Sequence, residues 1–512
     1  MTDPSELLLL LGDWMAGPGP LYGKLAHALH RAVLAGDLGS GARLPSERGL
    51  AKALGVSRAT VVAAYDELRA LGAVESRRGS GTRIAARPVP RSAGRDGRVS
   101  GGRATALLQR LVDRRDETIS LAMAAEPAAA EVREALHEVL CTDLTGLMAD
   151  TGYHPSGLPV LRRAAADHFA AAGLPTTPEQ VLVTTGATQA LGLVAQLYLR
   201  KGSGVVVECP SWPGCLDVFR AAGARPHAVP LDQDGIRVDG LAEALTRHRP
   251  ELLYVTPTYH NPTGVLMSEG RRRRVAELCR RHAVPVLEDI AYDIGVGQAA
   301  GEPAPIAAFA EPGAKPGTDT RTGTHTAAEV LTVGSLAKAV WGGLRIGWVR
   351  GPADVIGRLA RLKALADLGS PVLDQALAAR LLPRLDELKA RRAVTLRRRL
   401  DHLEGLLAAR LPAWQWSRPA GGSALWVRLP GDTDAQVYAQ VALRHRVEVV
   451  PGAVTDASGA HDSHIRIPFS LPEDRLTDLA NRLAAAWAEL VGQIPPAGRV
   501  QNGESPDRRD TT

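Results

Sequence analysis

The sequence predicts a multidomain protein. A small N-terminal module, mostly α with a small β wing, is joined to a large α/β domain with a mainly parallel sheet. Three observations carry this. Between residues 21 and 84, three short helical patterns are followed by two short β runs. Over 106–493, helical patterns alternate with short β-rich runs, the signature of strand–helix–strand units. Between them, 86–105 is rich in Pro, Gly, Ser and Arg without an apolar period, the composition of a flexible linker.

The module spans 15–85. Leu21, Leu25, Ala28, Leu29, Ala32 and Val33 lie at helical spacing, and Gly39-Ser40-Gly41 breaks the pattern. Ser46 is placed to cap a short helix carrying Leu50 and Leu54, which Gly55 ends. Ser57 is placed to cap a third helix with Val61, Tyr65, Leu68 and Leu71 on its inner face, and Gly72 stops it. The stretch 74–84 then reads as two strands joined by a Gly-Ser-Gly turn. In the large domain the β-rich runs are 181–185, 204–208, 252–256, 284–288 and 330–333. Residues 297–329, dense in Pro, Gly, Thr and Ala, read as a mobile insertion, and 494–512 as a disordered polar tail.

Bulk properties narrow the function. A chain of 512 residues, 45% apolar, has room for two to four domains and a sizeable core. The aliphatic run 7–11 is too short to cross a bilayer and follows acidic residues, so no membrane segment or signal peptide is expected. The four cysteines form no CxxC pair, which predicts neither a metal site nor a disulfide framework and fits a reducing cytoplasm. The net charge of +6 is unevenly placed: residues 21–91 hold twelve Lys/Arg against five Asp/Glu, a balance of +7, and the remainder sums to −1. Such a segment suits a nucleic-acid phosphate backbone, although a solvated surface looks the same by charge alone.

Two short helices around the turn at Gly55-Val56 match a helix-turn-helix, whose second helix offers its first turn to base edges. Ser57, Arg58 and Thr60 occupy that turn. Ser57 caps the turn, Arg58 has the fork that reads guanine, and Thr60 has a hydroxyl for phosphate. Arg48 is placed to grip the backbone, and Arg77 and Arg78 sit at the wing. The stretches Leu44-Pro45-Ser46-Glu47-Arg48, Leu54 to Val61 and Arg77 to Thr82 resemble the GntR family of winged helix-turn-helix regulators. The resemblance implies that this module binds a double-stranded DNA operator. A helical oligomerisation appendage is the bland alternative.

In the large domain Lys338, in Ser335-Leu336-Ala337-Lys338, follows a β run and is placed to form a Schiff base with an aldehyde cofactor. Ser335 and Arg345 offer a phosphate a hydroxyl and a bidentate fork. The SxxK spacing alone also occurs in penicillin-binding enzymes. Its companions make the case. Asp289, ending another β run, suits a protonated pyridine nitrogen, and Tyr292 and Asn261 suit a ring hydroxyl. Thr184 to Gln189 opens a helix after a strand, where backbone N–H groups cradle phosphate, and Trp212 is placed to stack on a ring. Singly, Trp212 reads as core, Asn261 as a turn former, Asp289 as a helix cap and Arg345 or Arg466 as solvated charge. Their joint order argues otherwise.

The set resembles fold-type I pyridoxal-phosphate enzymes, the class I and II aminotransferases. The resemblance implies pyridoxal 5'-phosphate as cofactor and Lys338 as its aldimine lysine. It also implies Gly186, Ala187, Thr188, Ser335 and Arg345 as the phosphate cup. Arg466 would hold a substrate or effector carboxylate, and Tyr153 would reach the phosphate of a partner subunit. The run from Asp293 to Gly297 departs from the family pattern, which puts the substrate side of the pocket in doubt. The two modules together resemble the MocR subfamily of GntR-family regulators. That implies a homodimer sensing a small amine or amino-acid effector, or the cofactor itself, through Lys338. A working aminotransferase with an appended DNA-binding head is the rival reading.

Overall fold

The computed structural model describes residues 4–11, 14–15, 19–34, 37–77, 81–85, 117–297, 302–310, 329–431, 433–456, 458 and 460–493. The expected linker, the tail, Arg78, and 298–301 and 311–328 of the expected insertion lie outside the described residues.

The head is built from α1 (Pro4–Leu11), α2 (Leu21–Leu34), α3 (Glu47–Leu54) and α4 (Arg58–Ala70), followed by the hairpin β1 (Val74–Arg77) and β2 (Gly81–Ile84). It begins earlier than residue 15, because Leu7, Leu11 and Trp14 are buried in the same cluster as Leu25, Leu50 and Val61. Leu7, Leu8 and Leu11 of the aliphatic run are thus core. The two expected caps form. Ser46 Oγ accepts from Gly49 N, and Ser57 Oγ accepts from Thr60 N, both at 3.1 Å. Gly55 ends α3 at φ +61°, a left-handed conformation that glycine adopts without penalty. Leu71 is 52% exposed instead of facing inward. The helix stops at Ala70, Gly72 turns the chain at φ +66°, and Val74 takes the buried position.

The body opens with β3 (Ile119–Ser120). Its main sheet holds β4 (Val181–Thr184), β5 (Gly204–Cys209), β6 (Arg225–Asp232), β7 (Gly235–Ile236), β8 (Leu252–Val255), β9 (Val286–Asp289), β10 (Val330–Ser335) and β11 (Gly347–Arg350). The order is β4-β11-β10-β9-β8-β5-β6-β7. Strands β6, β5, β8, β9 and β10 run parallel, whereas β11 is antiparallel to both neighbours and β7 to β6. Side chains alternate between two cores: Val181 and Val183 enter one, Leu182 the other. Both faces are covered, which is why these strands read as unbroken apolar runs. Strand β9 starts two residues after the expected 284, because Ala283 and Val284 still close the preceding helix on the Arg280 and Cys279 carbonyls.

Part of the expected mobile insertion is fixed. Ile306 is buried, and Glu288 Oε2 and Oε1 accept from Ile306 N (2.7 Å) and Ala307 N (3.1 Å). A smaller antiparallel sheet contains β12 (Gln415–Trp416), β13 (Ala424–Arg428), β15 (Val450–Pro451) and β16 (His464–Pro468). Strand β14 (Val447–Glu448) instead pairs in parallel with β3. Among the described residues no helix is long and apolar enough to cross a membrane.

Candidate cofactor and effector site

Asp289 ends β9, Lys338 follows β10, and Trp212 follows β5, so all three stand at the carboxyl ends of parallel strands. Asp289 is 2% exposed. Its Oδ2 accepts from the Tyr254 hydroxyl (3.0 Å) and its Oδ1 from Ala291 N (2.9 Å). Burial nevertheless pushes its carboxyl up to about 6. A carboxylate held this way favours a cation beside it, such as a protonated pyridine.

Lys338 Nζ lies 5.0 Å from the Tyr292 ring centre and donates to the Ala124 carbonyl (2.5 Å). Burial, then the positive charge of Arg466, bring it down to about 8 against the opposing pull of Asp289. The Tyr292 hydroxyl bonds Asn261, and burial pushes the phenol above its ordinary value. The two expected partners of a ring hydroxyl are therefore together.

The phosphate side forms at the helix Ala187–Tyr198. Gly186 stands at its N-terminus with φ +81°. A Cβ there would come within 2.9 Å of Arg345 Nη2, so the guanidinium closes on a bare backbone. Arg345 donates to the Thr185 carbonyl (3.0 Å), and Ser335 Oγ accepts from Ala337 N (3.2 Å). Ala187 and Thr188 fill the first turn, where free N–H groups favour an anion. Trp212 is half-buried at the start of the helix Pro213–Ala221, and Cys215 on that helix lies within electrostatic reach of Asp289.

Arg466 sits on β16 and is 5% exposed. Nη1 donates to the Leu121 and Ala122 carbonyls (3.3 and 3.4 Å), while Nε is buried without a partner. An orphaned buried donor on a cation suits a carboxylate. Together these residues fit pyridoxal 5'-phosphate. Tyr153 is 67% exposed.

Three groups escaped sequence reading. Tyr254 holds Asp289 from the neighbouring strand, but looked like one more apolar position in 252–256. Glu208 and His260 form a buried pair 3.5 Å apart beneath the site. Burial pushes Glu208 up to about 8 and His260 down to about 3, so both are mainly neutral at pH 7. Cys209, Asp456 and His461 also converge. Asp456 accepts from Cys209 Sγ (2.7 Å), from Ser458 N and Oγ, and from His461 N, with His461 Nδ1 2.8 Å away. These bonds close the loop after β15 with the three groups in direct contact.

On the head, Arg58 is 64% exposed and shares Glu47 Oε2 (2.9 Å) across the turn. Arg48 is exposed, Ser57 Oγ is engaged in capping, and Thr60 Oγ1 lies 2.9 Å from it. Arg77 ends β1. Arg43, not singled out from sequence, lies against the wing: a Cβ on Gly81 would meet its Nε at 2.9 Å.

Residues 126–483 match the family of class I and II aminotransferases, and 21–84 match the gntR family of bacterial regulatory proteins. The chain is 31% identical to the HTH-type transcriptional regulator YisV of Bacillus subtilis (strain 168), over 91% of this chain and 95% of that protein. It is 31% identical to the probable rhizopine catabolism regulatory protein MocR of Rhizobium meliloti, over 67% and 68%. Among solved structures, the α-aminoadipate aminotransferase LysN of Thermus thermophilus matches 78% of this chain and 97% of that one, with 28% identity and a TM-score of 0.67. That structure holds N-(5'-phosphopyridoxyl)-L-leucine. With a gntR-type head ahead of a class I and II aminotransferase body, the chain belongs to the MocR subfamily of regulators.

Proposed function

We propose that this protein is a pyridoxal-phosphate-dependent, operator-binding transcription regulator of the bacterial cytoplasm. Its body senses an amine or amino acid at Lys338, with Arg466 receiving the carboxylate. The observation that carries the reading is the coexistence, in one chain, of a capped reading helix with Arg58 exposed in its first turn and the buried constellation of Lys338, Asp289 and Arg466. Bound pyridoxal phosphate supplies an aldehyde for amines and an electron-withdrawing ring. The chain's own part is to hold and tune. Lys338 near 8 is about a tenth unprotonated at pH 7, far more than an ordinary lysine, and only the free amine attacks an aldehyde. Asp289, steadied by Tyr254, holds a proton on the ring side, and Asn261 with Tyr292 takes the hydroxyl side.

A homodimer fits the exposed apolar side chains of Leu136, Leu140 and Met148, close in sequence to the exposed Tyr153 that would reach the partner's cofactor. The cofactor-side residues are equally those of a transaminase, so turnover is the second reading. The test is genomic DNA selection with the purified protein, alongside a transamination assay with amino donors and keto acids. Specific fragments recovered without ordinary turnover support the regulator. Turnover without specific fragments supports the enzyme.

A further inference from the structure

Among the described residues, the head touches the body at the helix Ala435–Arg444. Arg444, last residue of the helix Ala435–Arg444, donates to the carbonyls of Leu54 and Gly55, the end of α3 and the turn into the reading helix. A guanidinium there satisfies carbonyls that a helix terminus leaves open and meets the negative end of its dipole. Glu489 holds the same guanidinium by Nη1 (2.5 Å) and also takes His445 Nε2 (2.8 Å). A Cβ on Gly55 would touch Arg444 and Val441 at 3.3 and 3.4 Å, so the turn lies flat on this helix. Trp14 Nε1 adds a bond to Gln440 Oε1 (3.2 Å).

A second set of bonds runs from this place to the effector site. Directly after Arg444, the chain pairs with the segment that enters the body: Ile119 N donates to the Arg446 carbonyl and Leu121 N to the Glu448 carbonyl, both 2.9 Å. Ser120 Oγ donates to Glu448 Oε2 (2.5 Å). The next two carbonyls, Leu121 and Ala122, are those that Arg466 holds. Beyond them Glu126 is anchored by Arg392 (3.1 Å) and Arg399 (2.6 Å). The strap 119–126 is thus pinned at both ends, with Arg466 gripping its middle.

We propose that Arg444 latches the DNA-binding head to the body, and that the strap couples this latch to Arg466, so that a carboxylate taking Arg466 loosens the head. The proposal rests on the regulator reading for its meaning. A carboxylate competes for the guanidinium that Leu121 and Ala122 now share. Buried carbonyls deprived of a donor must find another, so the middle of the strap has to shift between its pinned ends. Its first residues are zipped to 446–448, so their displacement pulls on the chain that carries Arg444. An effector can bias the head only by such a difference in contacts between two arrangements.

Hydrogen exchange on the full-length, cofactor-loaded protein, without DNA or effector, tests this. Arg444→Ala should speed exchange in peptides covering 50–57 by about tenfold or more, as expected when a charge-assisted hydrogen bond is removed from a locally opening unit. Arg466→Ala stands in for removal of the guanidinium from the strap. It should speed 119–124 and, at a distance, 50–57. The double variant should exchange at 50–57 no faster than Arg444→Ala, because both act through one latch. Arg444→Gln and Arg466→Gln give the same reading should an alanine variant fail to fold. Unchanged exchange at 50–57 in the Arg444 variant overturns the latch. An Arg466 effect confined to 119–124, or absent there, overturns the coupling. Failure of the wild type to bind any operator would instead refute the regulator reading, while these rates still decide the latch.

Discussion

Replacing Arg466 by alanine removes a guanidinium that is 5% exposed and has one buried donor to spare. An amino acid bound at Lys338 would set its carboxylate against that guanidinium, and the matching amine would bring nothing there. Removing one partner of a buried, hydrogen-bonded ion pair costs about 3–5 kcal/mol. Part is offset, because Arg466 must first give up long bonds to the Leu121 and Ala122 carbonyls, worth about 1 kcal/mol together at 3.3 and 3.4 Å. The remainder, about 2–4 kcal/mol, corresponds to a weakening of roughly 30-fold to 1,000-fold for amino acids. Amines should change less than about threefold, since repulsion between Arg466 and a cationic amine is relieved while packing is weakened. The assay is a visible-absorption titration of wild type and variant with pairs of amino acids and their decarboxylated amines. Equal weakening for both members of a pair would refute Arg466 as the carboxylate site.

Four further outcomes are expected. Cofactor uptake by cofactor-free protein should quicken as pH rises through about 8, where Lys338 loses its proton, and level off above it, and Lys338→Ala should yield no borohydride-fixed adduct; a rise continuing to pH 10 contradicts the lowered value. Asp289→Asn should weaken the cofactor by about a hundredfold or more, as removal of one partner of a buried charge pair does, and Tyr254→Phe by about tenfold for one hydrogen bond; equilibrium dialysis reads both. His260 is neutral in the fold, near 3 against 6.5 when unfolded, so its contribution is present above pH 6.5 and is lost as pH falls toward 3; His260→Gln should flatten that acid loss in thermal melts, and parallel curves would exclude His260 as its source. Arg58→Ala should shrink the preference for operator over random DNA by about 1–3 kcal/mol, whereas Arg48, Arg77 and Arg78 variants should weaken both DNAs and flatten the salt dependence; a salt titration on both DNAs separates the two patterns. The Arg58–Glu47 pair is exposed enough that releasing it to DNA costs little.

What sequence reading reached were features written within a few residues. Ser46 and Ser57 cap their helices through the third residue onward, and Gly55 turns at the expected position. The order of the candidate cofactor residues was readable for a related reason: Asp289 and Ser335 close their strands, Trp212 and Lys338 follow theirs, and parallel strands bring those ends to one edge. Errors arose where a local pattern ran past its element. Leu71 fits the helical period of Val61, Tyr65 and Leu68, but the helix had already ended. The Pro and Gly content of 297–329 suggested mobility, yet buried Glu288 on β9 binds the backbone of Ile306 and Ala307.

The residues missed share one property: their partners are remote in sequence, and their types are ordinary for the local pattern. Tyr254 in a buried strand and Arg444 at a helix end both obey local rules, so neither announces a second role. Trp14 and Gln440 are 426 positions apart, and Arg444 and Gly55 are 389 apart. Such contacts arise only once the whole chain is folded. A head-to-body coupling has to be made of contacts of this kind, because a short-range pattern cannot join the Gly55 turn to Arg466 at the far end of the sequence. The features that sequence reveals best are therefore the two chemistries of this protein, and those it hides are the contacts by which one can influence the other.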